Sequence, residues 1–295
     1  MVKSVQNTIG ERLFSLFIGC YVVFCFIVVA YPIYFIFIAS FSDPTAVAAG
    51  TVWFYPKGAN LEGYRTILAY ERIWIGYRNT IFYTVFGTLI SLVVTLPAGY
   101  ALSRKDFMPR RLLIFLFTFT MFFSGGLIPT YILISKLNLY NKIWVMLIPF
   151  CLNVYNLIIV RSFFESSIPV ELQEAATIDG CGDGRFFFSV VLPLSKAIIA
   201  VIALYYAVAT WNNYFRPMIY IKNNAIQVLQ VFLRDILIQN QMLETMSADS
   251  LNTVQNLADV IKYGIIIISA LPMIMVYPFV QRFFVKGVMI GAVKG

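Results

Sequence analysis

The stretch from Leu13 to Phe41 contains no charged side chain, and it is long enough to cross about 30 Å of hydrocarbon as a tilted helix. Further apolar runs follow at about Thr80–Leu102, Leu112–Ser135, Ile143–Val160, Ala197–Ile221 and Tyr263–Val280. A bilayer offers no water to backbone N–H and C=O groups, so runs of this length must satisfy their own hydrogen bonds as helices. With 60% hydrophobic and 12% charged residues among 295, the chain is far from the roughly half-apolar, quarter-charged mix of a soluble domain. The reading is an all-α membrane protein, one domain over residues 1–295, with six transmembrane helices. Lys3 and Arg12 ahead of the first run could suggest a cleavable signal peptide, but its apolar core is too long and no small-residue cleavage site ends it.

Orientation follows from lysine and arginine in the short links. The second and third runs are joined by "SRKDFMPRR", which carries Arg104, Lys105, Arg110 and Arg111, whereas Lys136 and Lys142 flank the next link. The first link is therefore expected in the cytoplasm, with both termini and the segment between the fourth and fifth runs. The longer links, around Ser42–Arg78 and Arg216–Lys262, are expected outside. The net charge of +8 is spread over loop ends and forms no basic patch with interleaved aromatics, so it argues for anionic headgroups and against nucleic acid. Cys20, Cys25, Cys151 and Cys181 show no CxxC spacing and there is no histidine, so neither a disulfide nor a metal site is expected.

None of the six runs has an aspartate or glutamate in its interior. Ion-driven carriers hold such groups within the membrane, so an ion-coupled secondary transporter is the weaker alternative, and a membrane scaffold a third. The chain also lacks GxxxxGK[ST], HExxH and GxSxG, and no chemistry of its own is expected. If it moves a solute uphill, the energy comes from a partner.

The segment "ELQEAATIDGCGDGRFFFSVVLPLSK", residues 171–196, is charged and glycine-punctuated between apolar runs. Pro169 suits the start of a helix, Glu171 and Glu174 favour its positive end, and Gly180 suits its stop. Leu172, Ala175, Ala176 and Asp179 recur at helical spacing, giving a small face that another body could approach closely. A plain cytoplasmic linker would satisfy the same local pattern. The wider spacing is more specific: "EAA", three residues, Gly180, nine residues, Val190, one residue, then "LP".

That pattern resembles the EAA loop of the permease subunits of bacterial ATP-binding-cassette (ABC) importers. "SGGLIPTYILI", "WNNYF" at Trp211–Phe215, "YPFVQRFFVKG" and the terminal "GVMIGAVKG" are similar to the maltose-type carbohydrate permeases, in the branch that serves complex oligosaccharides. The likeness covers nearly the whole chain. The family more often has isoleucine at Val190, alanine at Cys181, proline at Ala197 and a small or apolar residue at Arg216.

The resemblance implies a permease subunit in the bacterial plasma membrane, paired with a second, homologous permease and served by an extracellular sugar-binding protein. Two ATPase subunits would bind the ATP and Mg, and this chain no cofactor. Within a coupling loop at 165–196, Glu171 and Glu174 would supply charged contact to an ATPase, Ala175 and Ala176 the close-packing face, and Asp179 and Gly180 the turn. Asn212, Asn213 and Tyr214 would lie on the sugar path, although asparagines there equally suit helix-to-helix hydrogen bonds. Gly125 and Gly126 are expected to permit tight packing. Gly291, Lys294 and Gly295 of the tail would touch the ATPase pair. Because no carboxylate is available to carry a proton or sodium ion, uptake is expected to survive collapse of the membrane potential while ATP is maintained, and loss of uptake would contradict this.

Overall fold

The computed structural model describes residues 9–246, 261–278 and 281. Its helices are α1 (Ile9–Ser40), α2 (Pro44–Ala48), α3 (Glu62–Ala69), α4 (Glu71–Ser103), α5 (Arg110–Phe122), α6 (Leu127–Lys136), α7 (Trp144–Leu147) and α8 (Val154–Ser167). They continue with α9 (Val170–Ile178), α10 (Asp183–Phe186), α11 (Leu192–Leu194), α12 (Lys196–Trp211), α13 (Phe215–Tyr220), α14 (Leu229–Met246) and α15 (Ile261–Pro278). A π-helical turn, Phe187–Val191, joins α10 to α11. Among the described residues there is no β-strand. The chain divides into two compact units, Met1–Ala69 with Ile236–Ala270, and Tyr70–Asp235 with Leu271–Gly295.

In the first unit, most apolar side chains of α1 from Leu13 to Val29 are exposed, as a lipid-facing helix requires. Its C-terminal end is anchored. Tyr64 donates to Ser40 Oγ at 2.8 Å, Phe41 lies on the Tyr64 ring at 5.0 Å, and Phe35 meets the edge of Tyr263 at 5.8 Å.

In the second unit α4 packs along α8 and α12. The buried centre is Leu96 and Tyr100 from α4, Val160 and Phe164 from α8, Phe186, Phe187 and Val191 around the π turn, and Ile198, Ile202 and Tyr206 from α12. Gly99 lets α4 and α8 come this close, since a Cβ there would lie 2.5 Å from Val160 Cγ1. Thr95 and Tyr206 share a hydrogen bond of 2.7 Å across α4 and α12, and the Tyr206 hydroxyl also accepts the Asn153 N–H at 3.1 Å. At the far end from α9, Asn79 donates to the carbonyls of Ala225 and Gln227, and Thr80 Oγ1 accepts the Leu229 N–H.

Among the described residues three helices are long and apolar enough to span a membrane: Leu13–Ser40 within α1, α4 and α15. α4 begins well before the expected Thr80. Two other runs are bent pairs instead of the straight spans expected. The run at 112–135 turns by 115° between α5 and α6. Gly126 sits there at φ +82°, a conformation that side chains disfavour, and its carbonyl accepts the Thr130 hydroxyl at 2.7 Å. A Cβ at Gly126 would meet no atom of this chain within 4 Å, so within the chain Gly126 makes the turn and packs against no neighbouring helix. The second bend, 83°, falls at Ser195, between α11 and α12, so the segment after Gly180 does not run straight into the next span.

The run at 143–160 is also not one helix. α7 ends at Leu147 and α8 starts at Val154, after Pro149 has removed a backbone donor and Asn153 has capped the new helix by accepting the Asn156 N–H. The run at 197–221 likewise stops at Trp211 and restarts as α13. Gly99→Ala is expected to lower the stability of the purified protein by about 1–3 kcal/mol through overpacking against Val160. Gly87→Ala, whose Cβ would be 3.9 Å from Leu147 Cδ2, is expected to change the detergent melting temperature little.

Candidate functional site: the α9 surface and the cavities of the second unit

α9 is built as the sequence suggests, with Pro169 at its N-cap and Glu171 in its first turn. Its end is a complete Schellman motif: the Cys181 N–H donates to the Ala176 carbonyl at 2.8 Å and the Gly180 N–H to the Thr177 carbonyl at 3.0 Å. Gly180 supplies the φ of +72° that this closure needs.

The two alanines part company. Ala176 turns inward and, with Ile168 and Cys181, packs on the buried cluster that includes Phe164, Phe186 and Phe187. Ala175 stays exposed, as do Glu171, Glu174, Asp179 and Gly180. Successive helical residues are 100° apart, so within this chain Ala176 leans toward the core while Ala175 lies on the outer flank of the same small face. The exposed face also carries apolar groups: Val170 is 49% exposed, Leu172 38% and Ile178 87%. Val170 and Ile178 escaped sequence reasoning; the available signal was apolar side chains on a short helix outside the membrane runs. Among the described residues, Glu171, Glu174 and Asp179 belong to no ion pair.

The basic link lies beside this helix. Residues 103–106 and α9 line one cleft of about 640 Å³, with Glu174 and Ile178 on its wall. The link is held by Asp106 within it and by Glu165 of α8. Arg104 grips Asp106 through two bonds of 3.1 Å, which keeps the Asp106 carboxyl below its ordinary value. That clamp is therefore complete above the ordinary carboxylate range and is lost only as pH falls through the lowered value. Arg161 meets Glu165 at 2.8 Å, and Arg110 approaches the same carboxylate at 3.9 Å.

Two further cavities belong to this unit, the smaller mainly polar and the larger mainly apolar and open. The smaller, about 110 Å³, is lined by Ser91, Asn153, Asn156, Tyr206, Asn213 and other residues at the break between α7 and α8. The larger, about 300 Å³, lies at the bend between α5 and α6, by Ser124, Gly126 and Thr130. Phe150 and Arg216 line both. Of the three residues expected on a sugar path, Asn213 lines the smaller of these cavities, and its Oδ1 accepts the Arg216 N–H at 3.2 Å. Asn212 caps the end of α12, and Tyr214 precedes α13, 47% exposed. Gly291, Lys294 and Gly295 lie outside the described residues.

No protein-family model matches the chain. The polygalacturonan/rhamnogalacturonan transport system permease YtcP of Bacillus subtilis (strain 168) is 36% identical over 285 residues, 97% of this chain and 99% of its own. The chain belongs to the family of ABC-transporter sugar permeases. The protein LplC of the same organism is also 36% identical, over 297 residues, covering 100% of this chain and 99% of LplC. Among solved structures, a chain of a bacterial ABC transporter involved in the import of the acidic polysaccharide alginate matches with a TM-score of 0.86. It is 32% identical and covers 95% of this permease and 100% of that chain. Permease subunits of this family are integral membrane proteins and not enzymes themselves.

Gly180→Ala is expected to weaken the Schellman closure by about 1 kcal/mol, because an L side chain disfavours positive φ. Hydrogen exchange of the Gly180 and Cys181 amides is expected to speed up by roughly five-fold, the same figure expressed as a rate.

Proposed function

We propose that this chain is the membrane-embedded subunit of an ABC importer that takes up an oligosaccharide or complex carbohydrate, driven by ATP hydrolysis on partner subunits. The observation that carries this reading is α9: an EAA helix whose outer face leaves Glu174 unpaired and Ile178 exposed, while Ala176 holds its inner face on the core. Burying an aliphatic side chain such as Ile178 contributes about 1.5–3 kcal/mol, so a partner that covers this face gains affinity there. Two ATPase subunits, binding ATP and Mg, suit that role, one on this chain and one on a second homologous permease. An extracellular sugar-binding protein delivers the cargo. The full-length likeness to YtcP, a permease named for polysaccharide transport, supports the substrate class.

The proposed topology has six spans in one permease domain of the bacterial plasma membrane, with both termini in the cytoplasm. α1, α4 and α15 count singly, and α5 with α6, α7 with α8, and α10 through α12 each count as one broken crossing. The shared cleft supports putting α9 and the basic "SRKDFMPRR" link on one side, and the density of lysine and arginine in that link makes the side cytoplasmic. The tail residues Gly291, Lys294 and Gly295 reach the ATPase pair in this reading. Alternating access is a rocking of the broken spans, and a push on α9 enters through Ala176 into Phe186 and Phe187, hence into α4, α8 and α12.

Met108, 93% exposed in the link, is the position to test sidedness. Met108→Cys in a background lacking the four native cysteines is expected to resist an impermeant thiol reagent in intact cells and to react after permeabilisation. Labelling in intact cells would invert the topology. Glu174→Lys and Ile178→Asp are each expected to weaken ATPase docking by about 2–5 kcal/mol, as loss or reversal of a contact at a desolvated interface does. The measurement is co-purification of the ATPase with sugar-stimulated hydrolysis in reconstituted membranes. Full retention of both by both variants would overturn the coupling role of α9.

A further inference from the structure

The apolar part of α1 is longer than a bilayer needs. Leu13–Ser40 is 28 residues, about 42 Å of helix against about 30 Å of hydrocarbon. Laying all of it in hydrocarbon takes a tilt of about 45°, beyond the roughly 0–40° that spans show. At an ordinary tilt of about 20°, a run that enters at Leu13 leaves the hydrocarbon near Ile33.

The chain changes its arrangement at that level. Beyond it α1 is clothed by its own unit: Ile38, Ala39 and Ser40 are buried, as is Val52 of the loop that follows. At it, Tyr31 donates to the Trp53 carbonyl at 3.3 Å and Tyr34 donates to the Phe54 carbonyl. The loop therefore folds back along α1, to a level about 13 Å short of Ser40. Its base is tied as well. The Asp43 N–H donates to the Lys57 carbonyl at 2.8 Å, the Lys57 N–H to Ser42 Oγ at 3.3 Å, and the Asn60 N–H to the Phe41 carbonyl at 2.9 Å.

A loop tied at its base and again partway down α1 presents its tip in one place. That tip is Trp53, Phe54 and Tyr55, each between 62% and 69% exposed, with Lys57 exposed beside them. Three consecutive rings turned out of an ordered loop suit the boundary between headgroups and acyl chains. There the ring bodies enter the acyl edge, the indole N–H and phenol O–H meet headgroups, and the lysine meets phosphate. The two tyrosine hydroxyls supply the Trp53 and Phe54 carbonyls with donors where water is scarce. The tip is also continuous, through Ile33 and Tyr34, with the exposed apolar surface of α1.

We infer that Trp53, Phe54 and Tyr55 form an interfacial anchor seated in the outer leaflet, and that this anchor fixes the level near Ile33 at which α1 leaves the membrane. The occupant of the surface is lipid, with phosphate at Lys57 and the upper acyl chains against the rings. The inference depends on α1 as a span and not on the cargo.

The test uses the whole transporter, both permeases with the ATPase pair, in vesicles of phosphatidylethanolamine and phosphatidylglycerol. Nitroxide labels are placed at Trp53→Cys and Tyr55→Cys in a background lacking the four native cysteines. Val23→Cys, midway along the exposed face of α1, is the lipid reference, and Ala48→Cys, exposed on α2, is the water reference. Collisions with oxygen and with an aqueous nickel chelate give the depth of each label. The labels at 53 and 55 are expected between the two references, about 5–10 Å into the headgroup and acyl boundary. If the cysteine-free background does not assemble, the native tryptophan carries the test: lipid brominated near the glycerol end of its acyl chains is expected to quench wild type more than Trp53→Phe. Labels as open to nickel as the one at position 48, or equal quenching of the two proteins, put the loop in water and overturn the inference. Labels shielded from both reagents, with cross-links from position 55 to the second permease or to a binding protein, put protein on the tip and overturn it too. The importer reading survives either failure, since it is tested by ATPase docking at α9.

Discussion

The contact on which the second unit depends is the meeting of α4, α8 and α12 around Tyr100, Phe164 and Phe187. The Tyr100 ring lies 5.1 Å from Phe187 and meets the edge of Phe164 at 6.2 Å. Three helices converge there from different parts of the chain, and the π turn places Phe187 and Val191 between them. Such aromatic clusters resist small adjustments because the interior is close-packed; they repack in discrete steps or move as bodies. α9 rests on this cluster through Ala176, with Cys181 beside it, so its position is fixed by a packed core and not by a flexible loop.

The Schellman closure is what makes that support firm. Without it, the Ala176 carbonyl and the end of α9 would depend on water, and Cys181 would lose its place against the core. The helix is short, and its sequence propensity alone would not hold it. The cap and the inward Ala176 together fix it, which leaves the opposite face, with Glu174 and Ile178, presented outward at a defined angle.

Much of this was legible in the sequence. Uncharged apolar length gave the membrane class, and Pro169, the EAA triplet and Gly180 gave α9 nearly to the residue, because caps and glycines act through local backbone chemistry. The splitting of Ala175 from Ala176 was not legible, since periodicity locates a face without saying which neighbour it meets. The breaks were missed for a related reason. Hydropathy reads 112–135, 143–160 and 197–221 as uniform, but Gly126 through its φ preference, Pro149 through a missing donor, and Asn153 and Asn213 through side-chain oxygens that accept backbone N–H groups of the next helix interrupt them, none of which lowers apolarity much. Arg216 stood out in the sequence only as a departure from its relatives; its partnership with Phe150 is long-range and visible only in three dimensions.

The breaks and the cavities are one phenomenon. Non-helical backbone at membrane depth has unpaired N–H and C=O groups, and these are tolerated where they are buried in protein or line a polar space. The α7 to α8 break supplies Phe150, Cys151 and Asn153 to the smaller cavity, and the α5 to α6 bend supplies Ser124 and Gly126 to the larger. Tyr206 satisfies the exposed Asn153 N–H and is itself held by Thr95, so the break is stitched to α4 and α12 rather than left free. A chain of straight apolar helices would offer a polar solute nothing to bind. By interrupting them at glycine, proline and asparagine, this one brings hydrogen-bonding side chains and backbone to the walls of these cavities, and it keeps the rigid aromatic contact at the end where α9 packs.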